Sequence, residues 1–240
     1  MRQFSGTTTL NKSTVAFNSA VQGGGILNEF AGRYTIVKST IAHNSASDRG
    51  GGIRSTSGDP FGRVSAFVTV INSTISGNTA SIGGGIENSE DRASAEVDVT
   101  NSTIVGNSAS QEGGGVDNTT PDPESDAVAS IFLRNSLVAR NTAPTAPDAH
   151  EAGASFSLIG DGKDSGLSNT NGNQVGTHSS PIDPKIGPLS DNGGPTRTRA
   201  LLSGSPAIDA ASDADCPATD QRGVARPHGA GCDIGSFEKN

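Results

Sequence analysis

One block of residues recurs along this chain, and it restricts the fold more than any other feature of the sequence. Asn72-Ser73-Thr74-Ile75 leads through Asn78 to Gly83-Gly84-Gly85-Ile86, and Asn101-Ser102-Thr103-Ile104 leads through Asn107 to Gly113-Gly114-Gly115-Val116. Lys38-Ser39-Thr40-Ile41 leads through Asn44 to Gly50-Gly51-Gly52-Ile53, and Lys12-Ser13-Thr14-Val15 through Asn18 to Gly23-Gly24-Gly25-Ile26. A partial copy runs from Asn135 to Asn141. The steps between Asn18, Asn44, Asn78, Asn107 and Asn141 are 26, 34, 29 and 34, yet the spacing from the start of each block to its Asn is always 6. Only the segment after the glycines changes length. A unit with fixed parts and one elastic part is a structural repeat with a variable excursion at one corner.

Each unit carries three short apolar-alternating pieces: Gly-Gly-Ile-x-Asn, a Val97-Asp98-Val99 type piece, and Ser-Thr-Ile. None is long enough for a helix, and Gly, Asn and Pro separate them. Three strands per unit, each burying its apolar row only when the next unit stacks on it, describe a β-solenoid coil. The expected fold is all-β: a right-handed parallel β-helix, the hand following from the rule for parallel crossovers. Residues 1–160 are read as the coils, 161–182 as an irregular Gly/Asn/Ser-rich connection, and 183–240 as a module of different texture that caps the last open edge. The repeated Asn residues are expected to form a ladder of amide hydrogen bonds from coil to coil and to accept left-handed backbone angles at a tight turn. The Gly triplets allow a sharp turn without a β-carbon. Both are structural rather than catalytic signals.

Composition narrows the function. The formal net charge is −8, and Lys and Arg form no cluster, which argues against a nucleic-acid partner. No apolar run approaches the roughly 20 residues of a membrane helix. Residues 1–10 lack the apolar core of a secretory signal. The body nevertheless reads as extracellular, so the chain is expected either to be clipped or to begin partway into its first coil. Cys216 and Cys232 are the only cysteines; a disulfide between them fits an exported protein, with two free thiols as the alternative.

The Gly-Gly-Gly-Ile and Asn-Ser-Thr-Ile patterns resemble the β-helix repeats of bacterial surface proteins, including polymorphic outer-membrane protein repeats. The C-terminal motifs are more specific. Asp183-Pro184-Lys185-Ile186-Gly187-Pro188-Leu189-Ser190-Asp191-Asn192-Gly193-Gly194-Pro195, Gly204-Ser205-Pro206-Ala207-Ile208-Asp209, and Asp220-Gln221-Arg222-Gly223 closing with Cys232-Asp233-Ile234-Gly235-Ser236-Phe237-Glu238 resemble the choice-of-anchor Q family. That resemblance implies an exported bacterial protein held at the cell surface, with 183–240 as the family's terminal module. It transfers no catalytic residue.

Three constellations merit a chemical reading. The residue after each triplet's Ile should point outward, giving a column Leu27, Arg54, Glu87, Asp117. Paired carboxylates serve glycoside hydrolysis, and uronate lyases of similar fold use Ca²⁺ on carboxylates with a basic residue. If the chain is an enzyme, Glu87, Asp117 and Arg54 would be its site. The bland reading is a solvated column in which Arg54 offsets Glu87. A second column, Thr14, Thr40, Thr74 and Thr103, broken by Leu137, has the form of an outward ice-binding array; the strand preference of Thr also explains it. Thirdly, Asp220 with Arg222 or Arg226 has a catalytic look but is expected to lock the terminal module. His43, His150, His178 and His228 show no metal-ligand spacing and are read as surface residues. One Tyr and no Trp leave no evident aromatic platform for a sugar. The sequons at Asn11, Asn72, Asn101 and Asn118 follow from the repeat.

The expectation is a non-catalytic extracellular or cell-surface protein, an adhesin or structural module. Its partners would be a surface protein, a polysaccharide or a second copy of itself. The alternatives are a polysaccharide-binding or polysaccharide-degrading protein and, remotely, an ice-binding one. No cofactor or metal is expected beyond Ca²⁺ as a candidate.

Overall fold

Ile26, Ile53, Ile86, Val116 and Ala149 stand in one column, each paired with the next between parallel strands. The structure is a computed structural model that describes residues 1–58, 64–90, 93–119 and 127–240. The variable segments 56–67 and 119–130, which the sequence suits to protein contacts or to coil-edge protection, lie partly outside the described residues.

The column belongs to a curled sheet of ten parallel strands. Its first half follows the glycines, as in Ile53–Thr56, Ile86–Ser89 and Val116–Thr119; its second half holds Ala66–Ile71, Ala95–Thr100 and Ala129–Arg134. In Ile26–Val37 the two halves are one continuous strand. A seven-stranded parallel sheet stacks the Ser-Thr-Ile pieces, from Thr14–Ala16 through Thr74–Ser76 to Gln174–Val175. A third, four-stranded sheet contains Ser19–Ala20, Ser45–Ala46, Thr79–Ile82 and Ser108–Glu112. Sequence reading found three strands per unit, and this fourth one, between the ladder Asn and the glycines, is an addition. It is also where units differ by one residue: the register slips between Ala80 and Ile82, absorbing an Asn-to-Gly spacing of 5 in one unit and 6 in the next. The result is all-β, parallel and solenoid-like.

Val and Ile alternate inward along each strand, so Ile36, Val70, Val99 and Leu133 join Ile41, Ile75 and Ile104 in one buried core. Each fully buried side chain of this size contributes roughly 1.5–3 kcal/mol, and only because a neighbouring unit covers it.

The corners rest on hydrogen bonds between like residues. Asn18 Nδ2 donates to Asn44 Oδ1 (2.9 Å), Asn44 to Asn78 (3.0 Å), Asn78 to Asn107 (2.9 Å) and Asn107 to Asn141 (3.0 Å). The same Oδ1 also accepts the backbone N–H of the preceding rung, as Asn107 Oδ1 does from Asn78. The final Oδ1 belongs to Asp148, which accepts from both nitrogens of Asn141. A parallel serine ladder, not read from the sequence, links Ser13, Ser39, Ser73, Ser102, Ser136 and Ser157 through backbone N–H to hydroxyl bonds. The left-handed backbone sits elsewhere than expected. It occurs one residue before the ladder Asn, at Phe17, His43, Gly77, Gly106 and Arg140, and one residue before each of these serines, as at Lys38, Asn72 and Asn101. The ladder Asn is therefore selected by its amide, whereas tolerance of positive φ is required of its neighbour.

Residues 161–182 are not wholly irregular. They supply the last strand, Gln174–Val175, and a last rung in which Asn173 Oδ1 accepts from Ser157 N–H. Leu167 and Val175 pack against the end of the core. The segment 183–240, expected to cap the open edge, instead lies along the outer face of the seven-stranded sheet. Its two antiparallel strands, Ile186–Ser190 and Thr198–Leu201, and the buried Ala207, Ile234 and Phe237 pack on the outward side chains of Val105, Leu137, Ala139 and Leu158. The physical reason is that these outward positions are apolar in the later coils and need cover of their own. The module also bonds to successive coils: Thr219 to Lys38 and Asn72, Asp233 to Asn101, and Ser212 to Asn135. Cys216 and Cys232 form a disulfide within it. No helix among the described residues is long and apolar enough to cross a membrane.

Candidate functional site

The column after the apolar row has the register read from the sequence. Leu27, Arg54, Glu87 and Asp117 are successive pairing partners, and His150 continues the column. Its environment differs. Glu87 and Asp117 are both 0 % exposed, so the solvated reading is corrected. The glycine turn is the cause. The first glycine of each triplet has a positive φ and backs onto the column: a Cβ on Gly83 would lie 2.4 Å from Glu87 Cβ, and one on Gly113 2.3 Å from Asp117 Cβ. Beyond that turn the four-stranded sheet places a facing row, in which Arg49 pairs with Ile82 and Glu112 with Thr145.

Glu87 is held by two guanidiniums. Arg54 Nε lies 3.0 Å from Oε2, and Arg49 Nη1 lies 3.3 Å from Oε1. Burial pushes the Glu87 carboxyl up from its ordinary range, with Arg54 and Arg49 pulling the other way. Arg49 was missed in the sequence because it belongs to the facing row, one strand earlier than the column.

Asp117 has a different set of partners. Oδ1 meets His150 Nδ1 at 2.9 Å, and Oδ2 accepts the Thr119 hydroxyl. The bond to Asp117 raises the His150 imidazole above its usual value, with Glu112 and Glu151 adding to the effect. Glu112, Asp117 and His150 offer one ligand atom each, all within 4.8 Å of one another. The expectation that His150 is an unengaged surface residue is therefore corrected. Its unit lacks the glycine signature, Ala146-Pro147-Asp148-Ala149-His150 standing where Gly113-Gly114-Gly115-Val116-Asp117 stands one coil earlier. The matching left-handed angles, at Ala146 and at Gly113, mark the alignment.

Apart from Thr14, which is exposed, the threonine array is not on a free face. Thr40, Thr74 and Thr103 are at most 3 % exposed, covered by the C-terminal module. Thr74 donates to Gln221 Oε1 at 2.7 Å, Gln221 Nε2 donates to Thr40 Oγ1 at 3.2 Å, and Thr103 Oγ1 accepts Ser236 N–H at 3.0 Å. An ice-binding role for this array loses its surface. Asp220 pairs with Arg222 at 2.8 Å and also accepts the N–H groups of Val224 and Glu238. Arg226, fully buried in its side chain, instead faces Glu238 at 3.5 Å and donates to the carbonyls of Asp233 and Gly235.

An aromatic face exists where none was expected. Phe17 is 82 % exposed and stacks on His43, the ring centroids 5.2 Å apart and the planes inclined by 15°. Both occupy the left-handed corner position that Gly77 and Gly106 fill in later coils. Beside them, Thr14, Asp191, Pro195 and Arg197 line a cleft of about 360 Å³ between the coils and the terminal module.

No family model matches this chain. Neither a curated protein nor a solved structure matches it either.

Proposed function

We propose that this chain is a non-catalytic module of an exported or cell-surface protein, a right-handed parallel β-helix of the choice-of-anchor Q kind, acting as an adhesive or structural element. One observation carries the reading. Glu87, which an enzyme on this column would need, is sealed from solvent and neutralised by Arg54 and Arg49. A general acid or base must come within hydrogen-bond reach of its substrate, and a carboxylate committed to two guanidiniums under a glycine turn does not. The disulfide accords with an oxidising compartment. The test is a screen, with calcium, of pectate, alginate, glucuronan and neutral glycans for cleavage. No turnover is expected. Turnover lost in Glu87→Gln or Asp117→Asn would replace this reading with the enzyme.

Polysaccharide binding without cleavage is a second reading, favoured by the exposed Phe17 face and its neighbouring cleft. A left-handed β-carbon costs about 1–2 kcal/mol where glycine would cost none. A large exposed ring at such a corner is unexplained by the fold. Affinity electrophoresis in gels containing these glycans would detect retardation, lost in Phe17→Ser, and would separate the two readings.

A further inference from the structure

Two rungs of the same column solve the problem of a buried carboxylate differently. Glu87 receives Arg54 from its own row and Arg49 from the facing row. Asp117, equally buried, receives no guanidinium among the described residues. Its facing residue in the same coil is Glu112, a second carboxylate, whose oxygens have no hydrogen-bond or ion-pair partner among the described residues. Two carboxylates brought this close repel unless a cation stands with them, and His150 supplies one only when protonated.

We propose that Glu112, Asp117 and His150 form a binding site for a divalent first-row transition-metal cation, Zn²⁺ being the representative ion. Donors bound at about 2.0–2.2 Å to one ion lie roughly 3–4 Å from one another. The three ligand atoms here already lie within 4.8 Å of one another, close to that spacing. Two carboxylate oxygens and one imidazole nitrogen suit Zn²⁺, Co²⁺ or Ni²⁺; Ca²⁺ takes six to eight oxygens and gains nothing from the imidazole. The central ligand is fixed in place. Asp117 accepts the Thr119 hydroxyl on its other oxygen and is backed by the left-handed Gly113, whose Cβ would lie 2.8 Å from Oδ1. Such outer contacts orient a ligand and sharpen its affinity. Access is through the outer pair, since the His150 side chain is 22 % exposed and Glu112 is half-buried. The site shares Asp117 with the column read from the sequence but leaves out Glu87, where two guanidiniums would repel a cation.

The inference goes beyond the proposed function and stands without it. It is tested on the full chain, treated with EDTA and dialysed, by calorimetric titration with ZnCl₂ and by thermal melting with and without the metal. One equivalent should bind and raise the melting temperature. Glu112→Gln and His150→Gln should each weaken binding at least about tenfold and abolish the thermal shift, each measured against the same variant without metal. His178→Gln, removing an exposed histidine beside Asp161, should bind like the parent. Absence of saturable binding, binding that survives both substitutions, or binding lost in His178→Gln would each overturn the site. Equal binding of CaCl₂ would overturn the choice of a transition metal.

Discussion

The hydroxyl of Thr74 donates to Gln221 Oε1 at 2.7 Å, across 147 residues of sequence. Gln221 is fully buried, and its Nε2 lies within hydrogen-bond distance of Thr196 Oγ1 (2.9 Å), Thr40 Oγ1 (3.2 Å) and the carbonyls of Ser39 and Arg197. Truncating it orphans groups on both sides of the seam, at about 1–3 kcal/mol each. Gln221→Ala should lower the denaturation midpoint substantially and open the segment 183–240 to protease before the coils. Parent-like resistance to proteolysis would show that the apolar contacts alone hold the module.

The Asn ladder gives a second expectation. Each central rung accepts two bonds and donates two, Asn78 Nδ2 reaching both Asn107 Oδ1 and the Ile41 carbonyl. Asn78→Ala removes the acceptor of the Asn44 N–H and the donor to the Ile41 carbonyl, a loss of roughly 2–6 kcal/mol at about 1–3 for each of these two groups. The exposed Asn11→Ala should cost under about 0.5 kcal/mol. Chemical denaturation of the two variants side by side decides it, equal midpoints counting against the ladder.

A shorter ladder has a gap that can be filled. Asn88 Nδ2 donates to Asn118 Oδ1 at 2.9 Å, but the preceding rung is Ser55, and Ser55 Oγ, Asn28 Oδ1 and Asn88 Oδ1 have no hydrogen-bond partner among the described residues. Ser55→Asn should place an amide against Asn88 Oδ1 and stabilise by about 1 kcal/mol, the net value of one such bond. A melting temperature at or below that of the parent would mean the longer side chain does not fit.

Asp148 makes the stack sensitive to pH. Its burial pushes the carboxyl up to about 6 from 3.8, outweighing the bonds from Asp161 N–H and Asn141 that favour the ionised form. A folded value above the unfolded one means that the fold prefers the proton. The contribution is full below about pH 4 and is lost as pH rises through about 6, on the order of 2–3 kcal/mol. Asp148→Asn cannot titrate, so its melting temperature should fall less than the parent's between pH 4 and 7. Parallel profiles would place the sensitivity elsewhere.

Reduction of the Cys216–Cys232 bond should cost at most about 3 kcal/mol for a loop this short. Denatured protein should release thiols only after reductant; two thiols without reductant would contradict the bridge.

The strand register was legible because the repeat fixes it: the place after the apolar residue of each glycine triplet puts Arg54, Glu87 and Asp117 in one column. Their burial was not, since it depends on the facing row. Arg49 and Glu112 reach that row through a strand whose register slips by one residue. His150 and Asp148 were hidden by the loss of glycine from their unit. Asp148 stands at the third glycine position and uses its carboxylate to close the ladder. The lateral docking of the terminal module could not be read, because the outward Thr40, Thr74 and Leu137 suit solvent or cover equally well until their partner is known.

That docking changes how the molecule should come apart. Stacked repeats ordinarily fray from an end, because each coil touches only its neighbours. Here Lys38, Asn72, Asn101 and Asn135, one from each of four consecutive coils, are all bonded to the same C-terminal segment. An early coil cannot peel away without disturbing contacts that also secure a late one. Unravelling one coil at a time then gives way to a single cooperative transition, and the integrity of the earliest coils depends on residues near the far end of the chain.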